Sequence, residues 1–350
     1  MTQHSVVRTT AFIAAVAGLL VASSNAQVRE PPETSTRTQA PSPITGRGES
    51  STPRFKGGVD LVPLDVGVRD AAGRFVADLS AGDFLILEDG KPQHIAFMVP
   101  SDDVPLNVVL LLDISHSMYG AKLTRAVDAA KVFAASLRPD DRLEILAFNK
   151  HTQRLHAFED ETSHVASTVT RSIGAALTTI GAAGSTALYD ALLVGIDDLV
   201  RRRGHAPAEA RDVVVVLSDG EDTSSRVGFE EVVPVVRRSG ALVYSVSLRA
   251  SERGEWLGAS WPLLQLARDT GARALGIPQL DALPQLYQEI STEVRHLYRM
   301  AYASNNPTRD GRWRTIAVRV PSRDARVVTR AGYYAPRTAR DTAQAFGGRP

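Results

Sequence analysis

The sequence contains no cysteine among its 350 residues. This absence excludes disulfide scaffolds, zinc-thiolate centres, iron–sulfur clusters and a cysteine nucleophile. Lysine is scarce, with five among 40 basic residues, and the net charge is only +1, so no overall field favours nucleic acid as a partner. The hydrophobic fraction of 43% is ordinary for a globular protein, and the length allows about two domains.

Long hydrophobic runs are also lacking, apart from one near the amino terminus. The apolar run 11–22 follows Arg8 and is too short to cross a bilayer of about 30 Å as a helix. Ser24 and Ala26 supply the small residues that a signal peptidase reads. We therefore predict a signal peptide over 1–26, cleaved after Ala26, and a secreted or periplasmic mature chain without an integral membrane segment. A short membrane anchor is the alternative.

Two segments are poor in large apolar residues. Residues 27–56 are rich in Pro, Ser, Thr, Gly and Arg, and residues 337–350 have a similar composition. Such segments bury too little apolar surface to offset the entropy of folding. We interpret 27–56 as a flexible linker and 337–350 as a disordered tail.

Short strand patterns occupy both flanks of the remaining chain. The segment 57–103 contains four short strand patterns, with the hairpin signal Asp89-Gly90, and the segment 298–336 contains three. Chain ends that lie close together make insertions tolerable. We therefore expect one small β-sandwich interrupted by the middle of the chain, with two separate β units as the alternative.

The middle segment, 104–297, alternates apolar strand runs with helical patterns. The strand runs are 108–112, 143–148, 213–217 and 242–246. The helical stretches are 122–137, 163–177, 187–203, 229–239 and about 280–297. Continuous apolar strands that alternate with helices of this length are typical of a sheet buried on both faces. The predicted fold class is α/β, a doubly wound and mostly parallel sheet inserted into or flanked by the β-sandwich.

Short oxygen-bearing side chains occur at three places in this segment, two of them directly after predicted strands. Asp113, Ser115 and Ser117 form an Asp-x-Ser-x-Ser pattern after the first strand. Thr186 lies in a Gly-Ser-Thr loop before a predicted helix, and Asp219 follows the third apolar run, 213–217. Ligands of open parallel sheets bind beyond the carboxyl ends of the strands. We therefore expect these five side chains to converge.

Two carboxylates and three hydroxyls make a donor set that suits a hard divalent cation, Mg²⁺ (or Mn²⁺). In a loop leaving a strand, positions 1, 3 and 5 can turn toward one point. The carboxylates of Asp113 and Asp219 balance the charge of the cation, so the filled site could accept one further carboxylate. The pattern predicts a receptor for an Asp or Glu side chain of a protein partner.

These motifs resemble the metal-ion-dependent adhesion site of von Willebrand factor type A domains. The matching segments are 113–117, 184–191 and 217–220, within a resemblance that covers 104–297. The resemblance implies that Ser115, Ser117 and Thr186 are direct or near-direct ligands, whereas Asp113 and Asp219 act partly through water. Ser185 stands where the family often has glycine, a departure that leaves the ligand set intact.

The flanking segments resemble a bacterial family of secreted type A-related proteins. The resemblance rests on residues 83–92 before the central segment and on residues 310–334 after it. It implies an extracytoplasmic protein and names no ligand. The 12 arginines of residues 294–350 are spread along predicted strands, so we interpret them as exposed strand faces rather than as a nucleic-acid surface.

Other polar residues near these motifs receive a plainer interpretation. We expect His116 at the rim, directed away from the cation. Glu221 and Asp222 either shape the rim or are solvated, and Asp190 opens a helix and makes local hydrogen bonds there.

The common enzyme motifs are missing. There is no Gly-x-Ser-x-Gly elbow, His-Glu-x-x-His helix or phosphate-binding Gly-x-x-x-x-Gly-Lys loop, so we expect a binding module rather than an enzyme. Aspartyl-phosphate phosphatases have Asp-x-Asp after a strand, whereas Ser115 stands at the third position here. Two alternatives remain: a metal-dependent phosphohydrolase that uses Asp113, and a structural module whose site is inert.

Overall fold

The computed structural model describes most of the chain beyond residue 60. The described residues are 61–99, 104–158, 184–203, 210–219, 221–248, 261–277 and 279–337. The predicted signal peptide, the linker, the helix over 163–177 and nearly all of the tail therefore lie outside the described residues.

A six-stranded sheet forms the centre of the α/β part. Its strands are β5 (Leu106–Asp113), β6 (Arg142–Phe148), β7 (Thr152–His156), β8 (Arg211–Ser218), β9 (Leu242–Ser247) and β10 (Ala274–Gly276). Their order across the sheet is β10-β9-β8-β5-β6-β7, and all pairs are parallel except β6 with β7. All eight residues of β5 are buried, which explains its unbroken apolar run.

Helices cover both faces of this sheet. They are α1 (Ala121–Ala135), α2 (Leu188–Arg203), α3 (Phe229–Ser239), α4 (Trp261–Thr270) and α5 (Leu283–Arg295). Alternate residues of β5 enter two different cores. Leu110 lies in the core with α1 and α5, whereas Val109 lies in the core with α2, α3 and α4. The predicted doubly wound α/β class is confirmed.

Strands from both flanks build two further antiparallel sheets. The strands are β1 (Leu61–Asp70), β2 (Leu85–Glu88), β3 (Lys91–Gln93), β4 (Ile95–Val99), β11 (Tyr298–Ala303), β12 (Trp313–Arg319), β13 (Ala325–Val328) and β14 (Gly332–Tyr334). One sheet has the order β13-β1-β11-β4 and the other β14-β12-β2-β3. Leu64 and Met300 of the first sheet share one apolar core with Ile86 and Val318 of the second. This arrangement is a β-sandwich built from both ends of the chain.

Four elements were not expected from the sequence. β7 has the sequence TQRLH, in which Leu155 is the one apolar residue, so this edge strand lacks the apolar alternation by which strands are predicted. β10 and β14 have three residues each, too few for a periodic signal. α4 has ten residues and begins at Trp261-Pro262, where proline suits the first turn of a helix.

A buried ion pair joins the sandwich to the central sheet. Arg211, at the start of β8, is fully buried and donates from Nε to Asp65 Oδ1 of β1 at 2.8 Å. Its Nη1 and Nη2 donate to the carbonyl oxygens of Val294 and Leu297, the latter at 2.9 Å. One guanidinium therefore satisfies carbonyls at the end of α5 while it pairs with the sandwich.

Candidate metal-binding site

The expected site lies where the chain changes direction across the central sheet. From β5 the chain passes through α1 to β6 on one side, and it later returns through α2 to β8 on the other side. β5 and β8 are parallel neighbours, with Leu112 opposite Leu217. Asp113 and Ser218, the last residues of these strands, therefore stand side by side at a switch point, where open α/β sheets bind ligands.

Asp113 is held firmly at this edge. Its side chain is fully buried, and Oδ1 accepts a hydrogen bond from the backbone N–H of Ser115 at 2.8 Å. Oδ2 accepts one from Ser218 Oγ at 2.5 Å. Burial raises the pKa of Asp113 above its ordinary value, and the nearby charge of Asp219 raises it further, against these hydrogen bonds. A cation beside such a carboxylate would stabilise its ionised form.

Hydrogen bonds connect three more of the expected residues. Ser115 Oγ lies 3.2 Å from Ser117 Oγ, and Ser117 Oγ donates to Asp219 Oδ1 at 2.6 Å. Ile114, between Asp113 and Ser115, is buried in the core, whereas His116, between the two serines, is exposed, as expected for the alternating directions of this loop. Four of the five predicted side chains are therefore brought together.

Thr186 is linked to the site through its backbone. Its N–H donates to Thr223 Oγ1 at 2.8 Å, and its carbonyl accepts from the N–H of Thr223 at 2.8 Å. Thr223 belongs to the loop that continues from Asp219. Within the described residues, Thr186 makes no hydrogen bond to Asp113, Ser115, Ser117 or Asp219. Its buried side chain adjoins their loops without joining their hydrogen-bond chain.

The loop after Asp219 is fastened to the start of α2. Asp222 Oδ1 accepts from the N–H of Tyr189 at 3.3 Å and from Ser225 Oγ at 2.5 Å. Ser225 Oγ in turn accepts from the N–H of Asp190 at 3.0 Å. Asp222 thus accepts a hydrogen bond from one free N–H group at the start of α2 and is linked to a second one through Ser225. This role is more specific than the rim position expected from the sequence.

Lys122 also belongs to the site, although it was not predicted there from the sequence. Its ammonium donates to Asp219 Oδ2 and to the carbonyl of Ser117 at 3.2 Å. The nearness of Lys122 to Ser117 could have been predicted, since Lys122 lies in the first turn of α1, five positions after Ser117. Its contact with Asp219, 97 residues away, could not be predicted from the sequence.

The donor chemistry fits a hard divalent cation. Two buried carboxylates lie beside two serine hydroxyls, and oxygen donors of this kind are what Mg²⁺ prefers. In the part of the chain that the structure describes, no group of three or more His, Cys, Asp or Glu could hold a metal. The side-chain donors of this candidate site are therefore two carboxylates together with hydroxyls. With Lys122 included, the cluster has a formal charge of −1, which leaves it attractive to a cation.

Comparison with known proteins relates the central part of the chain to one domain family. Residues 107–260 match the sequence profile of the von Willebrand factor type A domain family. The chain is 24% identical over 157 residues to inter-alpha-trypsin inhibitor heavy chain H2 of Mus musculus, which covers 44% of this chain and 16% of that protein. It is 26% identical over 187 residues to heavy chain H1 of Sus scrofa, with coverage of 49% and 20%. The chain thus spans a fifth or less of the length of these relatives.

A solved structure with partial similarity is that of proximal thread matrix protein 1 from the mussel byssus. It is 14% identical with a TM-score of 0.44, and the match covers 55% of this chain and 48% of that one.

Proposed function

Because this chain contains a von Willebrand factor type A domain, we propose that it is an extracytoplasmic module that binds a protein partner through a divalent cation. The domain is established by the family match over 107–260 together with the sheet and its helices, and the resemblance inferred from the sequence motifs is confirmed. Domains of this type are protein-interaction modules, many of which depend on a metal ion. The resemblance of the flanks to a bacterial secreted family remains a prediction.

The observation that supports the proposal most strongly is the chain of contacts from Ser115 through Ser117 to Asp219, beside the buried Asp113. These residues come from two loops about a hundred positions apart, and both loops leave neighbouring parallel strands. Packing alone does not require two buried carboxylates at this edge, and Lys122 supplies only one positive charge to the pair. A bound divalent cation would compensate both carboxylates.

In this proposal each side chain has a stated role. Ser115, Ser117 and Thr186 would hold Mg²⁺ (or Mn²⁺) directly, and Asp113 and Asp219 would supply negative charge, partly through water. An Asp or Glu of the partner would complete the coordination of the cation. Ser218 and the N–H of Ser115 keep Asp113 in position, and the contacts of Asp222 keep the third loop against the start of α2.

The proposed location is secreted or periplasmic. The motifs at residues 1–26 support it, and these residues lie outside the described part of the chain. Among the described residues, none of the helices has the length and apolar character needed to cross a bilayer.

Calorimetric titration with MgCl₂ and MnCl₂ tests the proposal. Saturable binding is expected for the unaltered protein, and Ser117→Ala should weaken it by about tenfold or more, because a direct oxygen ligand is lost. Ser322→Ala is the matched control, since Ser322 is an exposed serine in a turn of the sandwich. Absence of saturable heat with either metal would contradict the proposal.

An inert site is the alternative that one contact favours. The ammonium of Lys122 already neutralises Asp219, as a monovalent substitute for a metal would. A protein of that kind would show no metal response even after Lys122→Met. The phosphohydrolase alternative lacks such support, because Ser115 stands where the acid/base carboxylate of those enzymes would be.

A further inference from the structure

A large cleft opens at the opposite edge of the central sheet from the candidate metal site. Its volume is about 960 Å³, and it lies between the end of α3 and the sandwich strands β1, β11, β12 and β14. Ala210 and Leu242, at the starts of β8 and β9, line it, whereas Asp113 and Ser218 stand at the far ends of the sheet. Pockets of roughly 300–1,000 Å³ are the size that binds small molecules.

The lining of this cleft is strongly basic. Eight arginines contribute to it, and Asp65 is the one acidic residue among the lining residues. Asp65 is already bound by Arg211, a residue outside the lining, at 2.8 Å, and Arg299 lies 4.0 Å from it. The sequence-based interpretation of the arginines of residues 294–350 as exposed strand faces is wrong for Arg295 and Arg314, because both are buried.

Some of the lining arginines are neutralised by carboxylates outside the cleft. Arg203 pairs with Asp212, and Arg237 pairs with Asp269 at 2.8 Å. These two therefore have structural partners and are poor candidates for holding a ligand.

Arg330 has no such partner. Its Nε is buried without a hydrogen-bond acceptor, and no carboxylate of the described residues forms an ion pair with it. The guanidinium lies near the ring of Tyr333, 5.7 Å away, and beside Gly240 at the end of α3. Burial lowers the pKa of Arg330 below its ordinary value, the expected direction for a cation whose surroundings do not fully compensate its charge.

Arg238 is the second arginine available for a ligand. It is exposed in the last turn of α3, and its guanidinium stacks on the ring of Tyr334 at 4.4 Å. No carboxylate of the described residues pairs with it. Stacking orients the planar guanidinium while its N–H donors stay available at the edge, which suits bidentate recognition of an oxyanion.

We propose that this cleft binds a small multivalent oxyanion, a molecule with two or more phosphate or carboxylate groups, through Arg238 and Arg330. An anion of this kind would supply the acceptor that Arg330 Nε lacks. It would also offset the excess of arginine over carboxylate in the lining. Charge-assisted bidentate bonds of guanidinium to phosphate or carboxylate are among the stronger polar contacts in proteins.

Calorimetric titration with pyrophosphate and, separately, with citrate tests the proposal on the full chain in metal-free buffer at low salt. Saturable binding of at least one probe is expected, with affinity that falls as salt rises. Binding of pyrophosphate alone would identify the phosphate class, and binding of citrate alone the carboxylate class. Failure of both probes to bind would overturn the proposal.

Single substitutions test whether the anion binds in this cleft. Arg238→Gln should weaken it by about tenfold or more, because one charge-assisted contact is lost. Arg238 is exposed on a helix, so this variant keeps the test valid even if Arg330→Gln fails to fold. Arg319→Gln removes an equal charge from an exposed position of β12 outside the cleft and should bind like the unaltered protein. An equal loss in Arg319→Gln and Arg238→Gln would overturn the proposal, since it would indicate attraction by overall charge.

The proposal is independent of the metal-site function. Ser117→Ala should leave pyrophosphate or citrate binding unchanged, because its hydroxyl lies at the opposite edge of the sheet.

Discussion

Lys122 and a divalent cation would compete for the same carboxylate, that of Asp219. The ammonium contacts Asp219 Oδ2, and the hydroxyl of Ser117 contacts Oδ1, so both oxygens are engaged. A lysine side chain is long and flexible enough to withdraw, and about a third of this one is exposed. The competition would lower metal affinity and would leave a positive charge beside the filled site, where a carboxylate of a partner would bind.

Removal of this charge should therefore strengthen metal binding. We expect Lys122→Met, which keeps the aliphatic stem, to lower the Kd for Mn²⁺ by about tenfold, because a unit charge within contact distance of a ligand is lost. Calorimetry measures the change. Lys131→Met is the control, since Lys131 lies on the same helix and pairs with Asp128 away from the site. An unchanged Kd in Lys122→Met would show that the two cations do not compete.

At the scale of single elements, the closeness of α2 to the central sheet depends on one glycine. A Cβ at Gly195 would lie 2.8 Å from Val109 Cγ1 and 3.5 Å from a methyl carbon of Leu111, both of β5. The absent side chain lets the helix approach the strand whose end holds Asp113. A glycine inside a helix ordinarily costs about 1 kcal/mol relative to alanine, so its presence here has a packing reason.

Gly195→Ala should consequently destabilise the protein despite the better helix propensity of alanine. We expect a loss of about 1–3 kcal/mol in the free energy of unfolding from overpacking against Val109. Urea denaturation followed by circular dichroism measures it. Val200→Ala, an exposed change on the same helix, should stay within about 0.5 kcal/mol. A stabilised Gly195→Ala would contradict the close contact between helix and strand.

The elements that could be predicted from the sequence are those with a local signal. The apolar run of β5 and the Asp-x-Ser-x-Ser pattern after it were sufficient to predict a buried parallel strand and a candidate site at its end. β7 could not be predicted, because an edge strand with polar outer residues lacks an apolar run. The contact of Lys122 with Asp219 and the burial of Arg211 depend on residues far apart in the chain, which periodicity does not reveal.

At the scale of the whole molecule, Arg211 and Asp65 connect the sandwich to the central sheet. Burial of Asp65 would by itself raise its pKa, but the charges of Arg211 and Arg299 and the hydrogen bond from Arg211 outweigh it, and the pKa lies below the ordinary 3.8. The ionised form is therefore favoured by folding. This stabilisation is present above the ordinary pKa and disappears as the pH falls through the lowered pKa of the folded protein.

Loss of the carboxylate should be costly at neutral pH. We expect Asp65→Asn to lower the free energy of unfolding at pH 7 by about 3 kcal/mol, because the fully buried Arg211 keeps its charge without a counter-ion. The difference from the unaltered protein should stay constant from pH 7 to about pH 5 and shrink below about pH 4. Urea denaturation across this range measures it.

Asp324→Asn provides the comparison, since Asp324 is an exposed carboxylate directly after a turn of the sandwich. It should have little effect at any pH. A difference between Asp65→Asn and the unaltered protein that grows toward acid pH would contradict the assigned direction of the shift.

Diffraction from crystals grown with Mn²⁺, with anomalous data collected near the manganese absorption edge, tests the central claim most directly. We expect one strong anomalous peak in contact with the hydroxyl oxygens of Ser115 and Ser117, near Asp113 and Asp219, with the ammonium of Lys122 withdrawn from Asp219. Crystals at saturating Mn²⁺ that lack a peak there, with Lys122 still bound to Asp219, would contradict it.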